Sequence, residues 1–231
     1  MTATARRVEP EWLDELPADD PRARRSRGDL RRVNALMANA RIVAGDLARA
    51  CPTPLASIAE IGAGDGAFAL RMVARLPAPV SAARITLVDR QPVVGPQTRA
   101  AFVRHRWEAR VETADVFDWL AAAPACDAIV ANLFLHHFLA EDVQRMMDLI
   151  ARRARLFIAC EPRRSSLALA GSHLLGLVGC NDVTRHDAVV SVRAGFSGRE
   201  LSALWGTKEG WAVEERGRGL FSHGFVARRH G

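Results

Sequence analysis

The run Ser57-Ile58-Ala59-Glu60-Ile61-Gly62-Ala63-Gly64-Asp65-Gly66-Ala67-Phe68 constrains this chain more than any other stretch. A short apolar segment enters three glycines at alternate positions, and an apolar-periodic segment leaves them. That order predicts a strand, a tight turn and a helix whose first amides lack intrahelical partners. Glycine serves such a turn in two ways. It adopts positive φ freely, and it lets a ligand approach the backbone without meeting a Cβ. The helix start adds donors and a positive dipole end. The loop reads as a cofactor site.

Glu60-x-Gly62-x-Gly64-x-Gly66 resembles motif I of the class I S-adenosylmethionine (SAM)-dependent methyltransferases. Gly62, Gly64 and Ala67 also satisfy the dinucleotide fingerprint G-x-G-x-x-G/A, so the loop alone leaves two adenosine cofactors open. The rest of the chain has to choose between them.

At 231 residues, the chain has room for one α/β domain and a modest extension. A hydrophobic fraction of 49% with 25% charged residues is ordinary for a globular protein. The net charge of +6 comes almost wholly from Arg, since Lys208 is the only lysine. With abundant Ala and no Tyr, that balance reads as genomic base composition as much as a surface for nucleic acid. Cys51, Cys126, Cys160 and Cys180 stand far apart without metal-like spacing, so reduced thiols and no metal are expected. No basic-then-apolar leader and no run of about 18–20 apolar residues occurs, so a soluble, cytoplasmic protein is expected. A homodimer stays open.

Residues 1–28 are polar, with Trp12, Leu13 and Leu16 placed to form a short amphipathic turn on the body. Apolar positions from Leu30 to Leu47 predict one helix from Asp29 to about Cys51, ended by Pro52 and Pro54, with Arg31 and Arg32 on its solvated face. The expected boundary divides a helical extension, 1–52, from a cofactor domain, 53–231.

Strands are then expected at Leu55–Ile61, Ala83–Asp89, Glu108–Glu112, Ala125–Leu133 and Ala154–Cys160, with helices between them. Such alternation means a parallel sheet covered on both faces. Two further strands, Trp211–Arg216 and Leu220–Arg228, close on Gly217–Gly219 as an antiparallel hairpin. The fold class is therefore a doubly wound, Rossmann-like sheet of seven strands with an insertion after strand five, at about 165–197. A terminal hairpin of this kind is part of the methyltransferase resemblance.

Ligands of such sheets bind beyond the strand carboxyl ends. Strand two ends in Asp89, placed to accept from ribose hydroxyls under either cofactor reading. The family resemblance sets Asp115, after strand three, beside the adenine amino group; the plain alternative is a helix N-cap. Asn132-Leu133-Phe134-Leu135-His136-His137-Phe138 is similar to the segment after strand four in ubiquinone- and menaquinone-type methyltransferases. It lacks the Asn/Asp-Pro-Pro-Tyr pattern of enzymes acting on adenine in nucleic acids. Glu60 would repel a pyrophosphate but suits the ammonium of a methionine moiety. The resemblance thus implies SAM held by Glu60, Gly62, Gly64, Gly66, Asp89, Arg90, Asp115, Val116 and Asn132.

Methyl transfer to oxygen or carbon needs an aligned acceptor and a base, for which histidine suits neutral pH. His136 and His137 are candidates, as is His186 in the insertion, each with a structural alternative as a cap or loop residue. Arg185 could hold an acidic acceptor oxygen, and Glu161 either shapes the acceptor site or pairs with Arg163 or Arg164. His173 reads as a core residue and His223 as structural. The apolar run Leu167–Gly179, read as lid or core, points to a small hydrophobic acceptor of aromatic, quinone-like or polyketide type. An NAD(P)-dependent oxidoreductase, an RNA methyltransferase and a SAM-fold scaffold without catalysis are the alternatives.

Overall fold

The computed structural model describes residues 5–17, 19–51 and 54–230. Pro52, expected to end the N-terminal helix, lies outside the described residues. Seven strands form one sheet in the order β3-β2-β1-β4-β5-β7-β6. They are β1 Ser57–Ile61, β2 Ala83–Asp89, β3 Trp107–Thr113, β4 Cys126–Asn132, β5 Ala154–Pro162, β6 Trp211–Arg218 and β7 Ser222–Arg229. The first five run parallel, while β7 pairs antiparallel with both β5 and β6. The strand order reverses between β1 and β4, and their carboxyl ends open the crevice where a doubly wound sheet takes ligands.

Side-chain alternation builds two cores. Ile58, Ile85, Leu87, Val130 and Ile158 face one side, under α3 Asn39–Ala50, α4 Ala67–Val73 and α5 Pro96–Val103. Ile61, Val88, Ile129, Phe157 and Phe225 face the other, under α6 Val116–Ala122, α7 Ala140–Arg153 and α10 Glu200–Trp205. Each fully buried side chain of this size stabilises the fold by about 1.5–3 kcal/mol. The closing hairpin is fixed by aromatic packing, with Trp205 5.6 Å from Phe225 and 6.1 Å from Phe157 between ring centroids.

The N-terminal region departs from its expectation. Instead of one helix from Asp29, there are α1 Trp12–Glu15, α2 Pro21–Leu36 and α3. Pro21 at the first turn and the Asp20 side chain accepting from the Arg22 amide start α2 early. Ala38, at φ 57°, breaks the chain before α3. The break lets α2 cross the strand ends while α3 packs on the sheet. Arg31 and Arg32 are exposed, as expected, and each also makes an ion pair: Arg31 with Asp65 at 2.9 Å, and Arg32 with buried Asp29. The insertion after β5 contains α8 Ser166–His173, a 3-10 segment Leu174–Val178 and α9 Asp182–Ala194.

Candidate active site

Where β1 delivers the chain to the crevice, Gly62, Gly64 and Gly66 take φ of 70°, 53° and 74°. These glycines serve different ends. A Cβ on Gly62 would stand 2.1 Å from the Phe134 ring, so the loop touches the segment after β4 there. Nothing lies within 4 Å of where a Cβ on Gly64 would stand, so that side of the loop faces open space. Asp89 at the end of β2 clamps the loop. Its Oδ2 accepts from the Gly64 amide at 2.8 Å and its Oδ1 from the Gln91 amide at 2.9 Å. Asp65 accepts from the Ala67 amide at 3.0 Å, so the start of α4 already has its own carboxylate.

Behind the loop sits Glu60, 1% exposed, with no hydrogen-bond partner for Oε2 among the described residues. Burial, reinforced by Asp65 and Asp89, raises its pKa well above the usual carboxylate range. A buried acid with one oxygen unpartnered, beside a glycine loop, is a poor neighbour for a second negative group. Asp115 N-caps α6 through the Phe117 amide at 2.8 Å and also lines the crevice. Val116 and exposed Arg90 line the same wall. Asn132, ending β4, accepts from Asn39 Nδ2 at 3.0 Å, and Asn39 in turn accepts from Ser222 at 2.7 Å.

Glu60, Gly62, Gly64, Asp89, Arg90, Asp115, Val116 and Asn132 open on one cavity of about 450 Å³. Gly66, expected among them, does not line it and packs toward Leu87 and Val94. Leu30 and Val33 of α2, with Met37 just after it, roof it, and Arg27 and Arg31 tie that roof to Gln91 and Asp65 at the loop. Beyond the glycine loop the walls become Leu13, Phe138, Ala168, Leu175, Val192 and Phe221. That half is mostly apolar.

Its polar edge is an ion-pair chain. His136, fully buried, has Nδ1 2.9 Å from Glu161 and Nε2 3.3 Å from Glu11. Burial would lower its pKa, but hydrogen bonds to the two carboxylates outweigh this and raise it to about 9. Burial likewise favours protonation of Glu11, yet the bond to His136 and the nearby His137 hold it down at about 2. The result is a carboxylate, imidazolium and carboxylate in line. His137 stands beside them, half-exposed, with Nδ1 3.3 Å from Asp14. Ligand atoms of Glu11, His136 and His137 come within 4.8 Å of one another, close enough to surround a metal ion. In this structure His136 Nε2 and Glu11 Oε1 face each other directly at 3.3 Å.

Residues 58–155 match a family model described as a methyltransferase domain. The solved structures similar to the whole chain agree in fold. The plantazolicin methyltransferase BpumL in complex with SAH has a TM-score of 0.67 at 12% identity, covering 92% of each chain. The pyocyanin biosynthetic protein PhzM has 0.62 at 16% identity, covering 95% of this chain and 62% of its own. An O-methyltransferase family protein from Burkholderia thailandensis has 0.61 at 18%, covering 93% and 61%. A comparison with curated protein sequences gives no match. Residues 58–155 carry a methyltransferase domain, set in the doubly wound fold that these structures share.

Not every predicted residue reaches the cavity of this methyltransferase. Glu161 is fully buried and turned away from the neighbouring arginines; besides His136, it receives the amides of Phe134 and Leu135 at 3.1 and 3.0 Å. Arg164 is engaged by Glu200. Glu161 positions the turn and does not line the acceptor space. His186 stacks on Trp12 with ring centroids 3.9 Å apart, and bonds Asp187 at 2.9 Å. With Arg185 it lines a separate, smaller pocket. Asp187 also receives the Trp12 and Leu13 amides, so this part of α9 anchors α1. His173 is exposed and not a core residue. His223 is structural, 2.7 Å from Glu215.

Glu11 and Asp14, which sequence reasoning left in a polar leader, line the cavity. Arg6 belongs with them, donating to the carbonyls of His136 and Phe138 at 3.1 and 2.7 Å. The one available signal was Trp12-Leu13 between two acids, a short apolar turn with carboxylates at its edge.

Proposed function

We propose that this methyltransferase moves a methyl group from SAM to an oxygen or carbon of a small hydrophobic acceptor of aromatic, quinone-like or polyketide type. One observation carries the reading: a single cavity runs from the unpaired carboxyl of Glu60 to the His137–Asp14 pair and the apolar face of α8. Glu60 would take the ammonium of the methionine moiety. Asp89 has lone pairs left beyond its two amide bonds for ribose hydroxyls, and Asp115 with Val116 would border the adenine. Arg90 and Asn132 would close the rim. Bound SAM supplies an electrophilic methyl on a sulfonium, which leaves readily, so orientation does most of the remaining work.

His137 is the base in this scheme. It borders the cavity and Asp14 can orient its ring, leaving the other nitrogen for an acceptor proton. His136, with its pKa raised to about 9 between Glu11 and Glu161, keeps its proton at neutral pH. Its part is to hold Glu11, and with it the N-terminal segment, over the acceptor space. The extension 1–52 then serves as roof and the insertion 165–197 as lid, together keeping water out. Arg185 and His186, which line the smaller pocket beside Trp12, have no part in the chemistry.

The test is SAH binding by calorimetry, then product detection by mass spectrometry with SAM and a panel of lipophilic phenols and quinols. Saturable SAH binding and a mass gain of one methyl are expected. Binding without any product on that panel would remove this acceptor class. A single-turnover assay without methyl loss from SAM in cell extract would favour a scaffold.

A further inference from the structure

The lid segment has two unlike sides. Ala168, Gly171, Ser172 and Leu175 line the cavity, at the i, i+3, i+4, i+7 spacing of one helical stripe. The same segment presents Leu167, Leu174, Leu177 and Val178 outward, with exposures of 54%, 57%, 84% and 59%. Leu220 and Phe221, in the turn between β6 and β7, lie next to it, since a Cβ on Gly171 would stand 3.0 Å from the Phe221 ring. From Ser166 to Gly179 there is no Asp, Glu, Lys or Arg. Single exposed leucines are ordinary on a protein surface; a contiguous group of this kind marks a place of contact.

Guanidinium groups border that face. Arg25 donates to the Gly179 carbonyl at 3.3 Å, and the Arg185 side chain lies against Gly176, where a Cβ would be 3.1 Å from its Nε. Arg24 is exposed on the same helix as Arg25. Arg22, Arg31 and Arg32 of α2 each pair with an aspartate, whereas Arg24, Arg25 and Arg185 have no acidic partner within ion-pair distance among the described residues. An apolar face edged by unneutralised arginines matches the boundary of a lipid layer, with acyl chains below and phosphates around.

We propose that the outer face of α8 and its 3-10 segment docks on the surface of an anionic lipid bilayer. Among the described residues no helix is long and apolar enough to cross a membrane, so the contact is one of lying on, not spanning. A second copy of this chain is a poorer occupant. A two-fold contact through this face would set each arginine edge against its own copy, placing like charges together. Docking would bring the cavity wall to the lipid, which suits the hydrophobic acceptor proposed above, although binding can be read without any acceptor.

Sedimentation of the full chain with extruded vesicles tests this. Vesicles of phosphatidylcholine alone are compared with vesicles containing phosphatidylglycerol, at low salt and without SAM. Binding to the anionic vesicles is expected, weakened at least about tenfold in Leu177→Asp/Val178→Asp and likewise in Arg24→Glu/Arg25→Glu. Unchanged SAH affinity of both variants shows that they are folded and separates this result from the methyl-transfer reading. No binding by the unaltered chain overturns the proposal, as does equal binding by the folded variants. Self-association abolished by Leu177→Asp/Val178→Asp, with lipid binding unaffected, also overturns it and assigns the face to a second copy.

Discussion

The Nδ1 atom of His136 lies 2.9 Å from Oε2 of Glu161, and both side chains are buried at the carboxyl ends of neighbouring strands. Since Glu161 also receives the Phe134 and Leu135 amides, it fixes the turn that carries both histidines. Its charge is matched by the imidazolium it holds, and that cation in turn holds Glu11 from the N-terminal segment. Strand end, turn and roof are thus joined through one proton.

That proton makes the roof pH-dependent. The pKa of His136 rises from 6.5 unfolded to about 9 folded, so its contribution is full below about 6.5 and is lost as pH rises through 9. Glu11 falls from 4.5 to about 2, so its contribution is full above 4.5 and is lost as pH falls through 2. The stabilisation by the pair should therefore peak between pH 4.5 and 6.5. Melting temperatures of the unaltered chain and of Glu11→Gln should differ most in that window and converge by about pH 10, with roughly 3 °C for each kcal/mol in a chain of this size. A gap that does not change with pH would mean that the chain of charges is not formed in solution.

The two histidines should separate kinetically. His137→Ala is expected to lower turnover by about 10²–10⁴ with SAH affinity nearly intact, as for loss of a general base. His136→Ala leaves Glu161 and Glu11 buried without a cation and should act first on stability, by about 3 kcal/mol or more. Turnover of His137→Ala equal to the unaltered enzyme would remove it as base. Activity undiminished after EDTA treatment is expected as well, because the cluster is neutralised by a proton.

Gly62 and Gly64 look equivalent in the motif but should not behave alike. Both have positive φ, which costs an alanine about 1–2 kcal/mol. Gly62→Ala must also displace the Phe134 ring, against which its Cβ would stand at 2.1 Å, and so disturbs the turn carrying the histidines. Gly64→Ala meets no protein atom within 4 Å. Thermal unfolding should therefore show the larger loss for Gly62→Ala, while Gly64→Ala is the one whose SAH affinity falls out of proportion to its stability. Equal melting temperatures would refute the contact.

The sheet was legible because its signals are local. Each strand is an apolar run between turn residues, and Glu60, Asp89 and Asp115 all stand at or just beyond a strand's carboxyl end. The roof was not legible. Nothing local joins Glu11 to His136, 125 residues away, or Asp187 to the Trp12 amide. The break at Ala38 was hidden for another reason, because no glycine or proline marks it and tertiary packing imposes a positive φ on an alanine. The contacts of the Arg185-His186-Asp187 run were equally hidden, since the His186 ring stacks on Trp12 and Asp187 takes the Trp12 and Leu13 amides from the far end of the chain.

Glu60 offers the sharpest separation of stability from binding. Its pKa is raised in the folded chain, by burial first and then by Asp65 and Asp89, so the folded state resists its ionisation while the unfolded state does not. Stability is therefore withheld increasingly as pH rises above 4.5. Glu60→Gln removes this penalty and should raise the melting temperature of the ligand-free protein, more at pH 8 than at pH 5. The same change removes the acceptor proposed for the ligand ammonium, and a hydrogen bond between charged groups is worth about 1.5–3 kcal/mol, so SAH affinity should fall about 10- to 100-fold. Binding to the unaltered chain should also release a proton as Glu60 ionises against the ammonium. Calorimetry in two buffers of different ionisation enthalpy measures that release. A chain that binds SAH without releasing a proton, and equally well as Glu60→Gln, would take Glu60 out of the cofactor site.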